Sequence, residues 1–239
     1  MPSRNFTWRT LSKVIWLLDS AIEPSPPGTP TLFAEDVTRG YRFDVWINTR
    51  NRWFELYARV AGELPDMPIL VYNVPIRAAV DISPATVGRL RRAFDNIVGI
   101  KDASGDLSRV TDHRMGISSP FAQLSGDDEL ALPFNAAGGV GCISVTANVA
   151  PKLCAEFQLA CKDNDLKRAR AINDQLYPLH YAMFADASPG PVKYALARTQ
   201  DWFNEELRLP LVKCGDAVRA QVDAALVHAG LRSEEHTSE

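Results

Sequence analysis

Short apolar runs that end abruptly in polar, reactive residues mark the middle of the chain. Ile69-Leu70-Val71 runs into Tyr72-Asn73, and Ile97-Val98-Gly99-Ile100 runs into Lys101-Asp102. Each run has the length of a buried strand. Helical spacing surrounds them. Phe54, Tyr57, Ala58, Val60 and Ala61 mark one helix before the first run, and Val87, Leu90 and Phe94 form the apolar face of a second. Ser83-Pro84 supplies the second helix with an N-cap and a first-turn proline. Phe121 to Leu124 is a third strand and Cys142 to Val145 a fourth. Between them, Ser125-Gly126-Asp127-Asp128 is expected to cap a helix from Glu129 to Ala136, with the acidic residues favourable in its first turn. Strands and helices alternating at this spacing predict right-handed β-α crossovers and a parallel sheet, hence an α/β fold.

Beyond residue 150 the pattern is helical. Pro151 to Cys161 turns Leu153, Cys154 and Phe157 inward; Asp165 to Phe184 does the same with Leu166, Ala169, Ile172, Leu176, Leu179 and Met183. Pro191 to Arg198 and Asp216 to His228 follow, the last stopped by Gly230. The expected organisation is therefore an atypical segment over 1–52, strands and helices over 53–150, a helical region over 151–231, and an aperiodic tail over 232–239 that reads as non-native. Within the first segment, Thr10 to Ile22 has helical spacing and Glu23 to Pro30 the composition of a linker. Tyr41 to Ile47 alternates like a strand that would cover an open edge of the sheet.

Composition narrows the function. A net charge of −3 and a pI near 5.9 leave no basic footprint for nucleic acid. No apolar run approaches the roughly 20 residues that span a bilayer, and Ile15 to Leu18 is too short for a signal-peptide core. Cys142, Cys154, Cys161 and Cys214 lack zinc-ligand spacing and read as free thiols in a reducing cytoplasm. Gly138-Gly139-Val140-Gly141 precedes a strand instead of opening a helix, the wrong context for a dinucleotide loop. A soluble cytoplasmic protein with neither metal nor nucleotide is expected.

Four motifs then occur in order: Tyr72-Asn73-Val74-Pro75-x-Arg77, Gly99-Ile100-Lys101-Asp102-Ala103-Ser104-Gly105-Asp106, Leu124-Ser125-Gly126-Asp127-Asp128, and Gly141 to Asn148. Together they resemble the dihydrodipicolinate synthase (4-hydroxy-tetrahydrodipicolinate synthase) family of pyruvate-dependent lyases and aldolases, from about Trp53 to Leu231. The resemblance implies a TIM (β/α)8 barrel with C-terminal helices. A complete barrel takes roughly 250 residues; the strands found here resemble the family's fifth to eighth. The Gly-Thr-Thr-Gly-Glu-like turn of the first half, which binds the pyruvate carboxylate, and a tyrosine lent across a subunit interface have no counterpart in residues 1–50. The expectation is a truncated or frame-shifted product carrying the C-terminal half-barrel.

Taken alone, the site residues each fit ordinary roles. Lys101 fits a lysine entering solvent, Tyr72 a half-buried aromatic, Arg77 a solvated loop arginine and Ile143 a core side chain. The resemblance assigns them chemistry. Lys101, expected to be desolvated at a strand tip, becomes the amine that forms an imine with pyruvate. Tyr72 relays protons, Arg77 grips the carboxylate of L-aspartate 4-semialdehyde, and Ile143 offers its backbone carbonyl near pyruvate. The family continues with threonine and glycine after this arginine, whereas here Ala78-Ala79 follow. The implied function is the condensation of pyruvate with L-aspartate 4-semialdehyde in lysine and diaminopimelate biosynthesis, with no cofactor beyond the covalent imine and a homotetramer as the assembly. A sister aldolase acting on a sugar acid or hydroxy-oxo acid is the alternative within this chemistry; a non-catalytic fragment is the alternative outside it.

Overall fold

The computed structural model describes residues 32–36, 41–45 and 52–232, with side chains from Trp53 onward. The expected helix over 10–22, the linker over 23–30 and the tail beyond Arg232 lie outside these residues. Strands β1 (Leu32–Asp36) and β2 (Tyr41–Val45) pair antiparallel, Leu32 opposite Val45 and Asp36 opposite Tyr41. The expected strand over 41–47 therefore finds its partner in β1, in a two-stranded sheet of its own, and not on an edge of the parallel sheet.

The parallel sheet has four strands in the order β3 (Ile69–Asn73), β4 (Ile97–Asp102), β5 (Ala122–Ser125) and β6 (Gly141–Cys142). Lys101 is in register with Leu124 and Leu124 with Gly141; on the alternate positions Asp102 meets Ser125 and Ser125 meets Cys142. The last strand is shorter than the apolar run Cys142 to Val145 suggests, for a reason that lies in the candidate site.

The chain divides into two compact units, one comprising residues up to Val71 with Pro75–Val98, the other Tyr72–Val74 with everything from Gly99 onward. In the first, α1 (Arg52–Glu63) packs on α3 (Pro84–Ala93) through Ala61, Val87 and Leu90, all buried. The Arg89 guanidinium lies 4.4 Å from the centre of the Phe54 ring. Ser83 caps α3 as expected, its hydroxyl accepting from Thr86 N–H at 3.2 Å, with Pro84 in the first turn. Asn96 Nδ2 donates to the carbonyls of Ala61 and Leu64 at 3.1 and 2.8 Å, satisfying acceptors that the end of α1 leaves open.

In the second unit, α4 (Ser108–Gly116) and α5 (Ala131–Ala136) connect the strands, and a 3-10 turn, Thr146–Asn148, leads to α6 (Pro151–Lys162). Helices α7 (Leu166–Ala182), α8 (Gly190–Thr199) and α9 (Asp216–His228) complete it. Ala169, Ile172, Leu176, Leu179 and Met183 are buried as their spacing predicts; Leu166, at the first position of α7, is instead 45% exposed. Pro178 lies inside α7 and has no N–H to give the Asp174 carbonyl. His228 Nε2 of α9 donates to that carbonyl at 3.2 Å, and Gln175 Nε2 donates to Ala229 O at 2.8 Å. Gly230, at φ +71°, closes α9, with Leu231 N–H donating to Leu226 O at 2.9 Å. Arg232 ion-pairs with Asp223 at 2.8 Å. Among the described residues no helix is long and apolar enough to cross a membrane.

Two buried histidines make this unit sensitive to acid. Burial lowers the pKa of His113, against the pull of Asp102, and that of His180, against the pull of Asp128. The unfolded chain, with histidines titrating near 6.5, takes up protons first as the pH falls. The stability these two residues contribute is thus complete above about pH 6.5 and is lost progressively below it. Urea unfolding at about pH 7.5 and 5.5 should show a lower midpoint at the acid value, with part of the difference removed in His113→Gln.

Candidate active site

Alternation along the strands sorts the tip residues onto two faces. Asn73, Asp102 and Ser125 are buried on one. Tyr72, Lys101 and Leu124 occupy the other, and Ile143, two residues beyond Gly141, continues it; these four are half-buried or exposed. Backbone bonds just past the strand ends hold the tips together. Ala103 N–H donates to Asn73 O at 2.8 Å, Gly126 N–H to Asp102 O at 2.7 Å, and Ile143 N–H to Ser125 O at 2.9 Å. A β-carbon at residue 126 would lie 2.6 Å from the Ala103 β-carbon, which excludes any side chain there.

On the open face, Lys101 Nζ sits 4.2 Å from the centre of the Tyr72 ring. The electron-rich face of a phenol attracts an ammonium at this distance, so the two residues singled out in the sequence are brought into contact. On the buried face, Asp102 Oδ1 accepts from Ser104 N–H at 2.9 Å and from Asn73 Nδ2 at 3.4 Å. Asp102 also lines a cavity of about 10 Å³ with Asp127, Ser104 and Ser125.

Carboxylates crowd this end of the sheet. Burial, then the charges of Asp102 and Asp128, raise the pKa of Asp127, while the Lys101 ammonium pulls it down. Glu129 is raised by burial and by Asp127 and Asp128. Among the described residues no group of His, Cys, Asp and Glu could hold a metal ion.

The Ser125 to Asp128 turn does not do what its sequence suggests. Helix α5 begins only at Ala131, behind Leu130, with no side-chain cap. Asp128 Oδ2 instead accepts the backbone N–H groups of Val145 at 2.9 Å and Thr146 at 3.1 Å. These contacts turn the backbone out of the strand, which is why β6 ends at Cys142. Asp128 is the residue that sequence reasoning placed in the wrong role. Its signal, an acidic residue just after a strand tip, is also that of an acidic helix cap, and the N–H groups it accepts lie 17 and 18 positions away.

Arg77 belongs to the other unit, where it is exposed in the four-residue helix α2 (Pro75–Ala78). The turn after it is strained. Ala79 adopts φ +54°, the left-handed region that favours glycine, at the position where the resemblance expects one.

The model of the dihydrodipicolinate synthetase family matches residues 49–229. The chain belongs to that family, and its sheet and helices form part of the family's barrel. The 4-hydroxy-tetrahydrodipicolinate synthase of Novosphingobium aromaticivorans is 71% identical over 171 residues, 71% of this chain and 58% of the relative. The synthase of Erythrobacter litoralis is 62% identical over the same shares. Among solved structures, the chloride-inhibited dihydrodipicolinate synthase of Acinetobacter baumannii complexed with pyruvate superimposes with a TM-score of 0.72 at 36% identity, covering 77% of this chain and 62% of that one. The chain therefore spans less than two thirds of the length of these relatives.

The Ala79 turn yields a test. A left-handed alanine costs about 1–2 kcal/mol, part of which glycine returns through its greater freedom in the unfolded chain. Ala79→Gly should raise stability by about 0.5–1 kcal/mol, read as an increased urea midpoint at unchanged slope. A lowered midpoint would show that the turn carries no strain.

Proposed function

We propose that this chain carries the nucleophilic half of a lyase that joins pyruvate to L-aspartate 4-semialdehyde through an imine on Lys101. The observation that carries the reading is the placement of Lys101 Nζ over the Tyr72 ring at the tips of two neighbouring parallel strands. The membership of the family and the pyruvate complex of the Acinetobacter relative support it.

The chemistry follows from the groups present. The free amine of Lys101 attacks C2 of pyruvate, and the carbonyl oxygen takes up a proton to give a carbinolamine. Loss of water forms the imine. Its protonated nitrogen withdraws electrons, so a methyl proton leaves and an enamine results. The enamine carbon then bonds to the aldehyde carbon of the second substrate, whose oxygen takes a proton. Tyr72, whose ring centre lies 4.2 Å from the amine, would pass protons through its hydroxyl in the first and last of these steps. The imine is the electron sink, so the reaction needs no further cofactor. Arg77 would bind the carboxylate of the semialdehyde as a bidentate partner, and the Ile143 carbonyl would face pyruvate. Assembly as a homotetramer belongs to the same proposal.

Ala78-Ala79 in place of the family's threonine and glycine, beside Arg77, is the feature that favours a second reading, a sister aldolase taking a sugar acid or hydroxy-oxo acid. Incubation with pyruvate and borohydride, followed by peptide mass analysis, tests the common step. The expected result is one reduced pyruvyl group on Lys101, abolished in Lys101→Arg. Absence of any adduct in the wild-type chain would leave the non-catalytic fragment as the reading. Faster turnover of sugar acids than of L-aspartate 4-semialdehyde would select the sister aldolase.

A further inference from the structure

The carboxylate of Asp128 holds both sides of Ile143. Cys142 Sγ lies 3.9 Å from Oδ1 as a weak donor, and Val145 and Thr146 give their N–H groups to Oδ2 at 2.9 and 3.1 Å. Asp128 is 5% exposed, and its charge is met by these donors. Behind it, Thr146 is fully buried and its hydroxyl lies 2.8 Å from His180 Nδ1 on α7. Ser144 Oγ accepts from Ala147 N–H at 2.8 Å, and Asn148 Nδ2 donates to Val145 O at 2.9 Å. Ile143 is fixed by Ser125 O through its own N–H, yet its side chain is 41% exposed on the face that carries Lys101.

Resting on the Lys101 reading above, we propose that Asp128 is a positioning residue. It fixes the backbone from Cys142 to Thr146 so that the Ile143 carbonyl is held toward the three-carbon oxo acid on Lys101. Both backbone bonds fall on one oxygen, Oδ2, so an asparagine with its amide oxygen turned that way keeps them, whereas an alanine removes the acceptor altogether. In Asp128→Ala the segment would lose its fixed geometry, while Lys101 and Tyr72, on other strands, would keep theirs.

Two measurements on the full chain test this, with Asp128→Ala and Thr146→Val compared after circular dichroism and urea unfolding have established that each is folded. The first is amide hydrogen exchange. In Asp128→Ala the Val145 and Thr146 amides should exchange faster than in the wild type while Ile143, bonded to Ser125, stays protected. The second is borohydride trapping against pyruvate concentration. Half-saturation in Asp128→Ala should rise roughly ten- to a hundredfold, the range for losing hydrogen bonds to a charged group, at an unchanged limiting yield on Lys101. Thr146→Val keeps the backbone donors and should lower stability without moving half-saturation. Equal half-saturation in wild type and Asp128→Ala overturns the proposal, as does unchanged exchange at Val145 and Thr146. A wild-type chain that traps no pyruvate overturns the Lys101 reading itself and the pyruvate half of this one, and the exchange data still decide whether Asp128 orders the backbone.

Discussion

Residue 126 lies where two strand tips approach so closely that a β-carbon would stand 2.6 Å from that of Ala103. This contact is what lets the backbone bond from Gly126 N–H to Asp102 O form at 2.7 Å, one step past the end of the β4–β5 ladder. The bonds from Ala103 to Asn73 and from Ile143 to Ser125 repeat the arrangement on either side. Together they fix how far each strand tip projects. Lys101 reaches the Tyr72 ring because both side chains leave strands whose ends are locked at the same height. A methyl group at 126 would force one tip away from the next, and the contact between Lys101 and Tyr72 would lose its frame.

Electrostatics at this end of the sheet are asymmetric. Asp102 and Asp128 are buried and Asp127 and Glu129 partly so, with the Lys101 ammonium acting on Asp127 against burial and the two neighbouring carboxylates. Such crowding is tolerable only where oxygens find donors. Asp128 finds its donors in the backbone N–H groups of Val145 and Thr146, whereas Asp102 has Ser104 N–H and Asn73 Nδ2 on Oδ1 and its buried Oδ2 has no donor among the described residues. The acidic turn thus serves as internal scaffolding, using backbone groups that would otherwise need ladder partners.

Much of this was legible in the chain. The first two strands of the parallel sheet declare themselves through unbroken apolar runs, and their tip residues follow from where those runs stop. The Ser83 cap and the Gly230 stop are local signals and hold in the structure. Two of the failures, at β6 and at the Ser125 to Asp128 turn, depend on partners distant in sequence; the third, at β2, does not. Cys142 to Val145 has strand composition, but Asp128 takes the N–H groups that a longer strand would have used. Asp127 and Asp128 have cap composition, but α5 starts past them. Tyr41 to Val45 has strand alternation, but its neighbour β1 sits in a stretch with no comparable pattern. Roles for Tyr72, Lys101, Arg77 and Ile143 came from motifs in combination, since no single residue has a spacing that demands catalysis.

Pro178 turns a local defect into long-range information. Apolar faces alone let two packed helices slide by a turn at small cost, because one leucine replaces another in the contact. A carbonyl left open by proline exists at only one place along α7, and His228 can reach it in only one alignment of α9. Gln175, one residue beyond that carbonyl's owner, repeats the constraint in the opposite sense by donating to Ala229. The broken helical bond therefore acts as an index mark that sets the register of the C-terminal helices. A substitution that restored a regular α7 would be expected to improve that helix while making its alignment with α9 less unique.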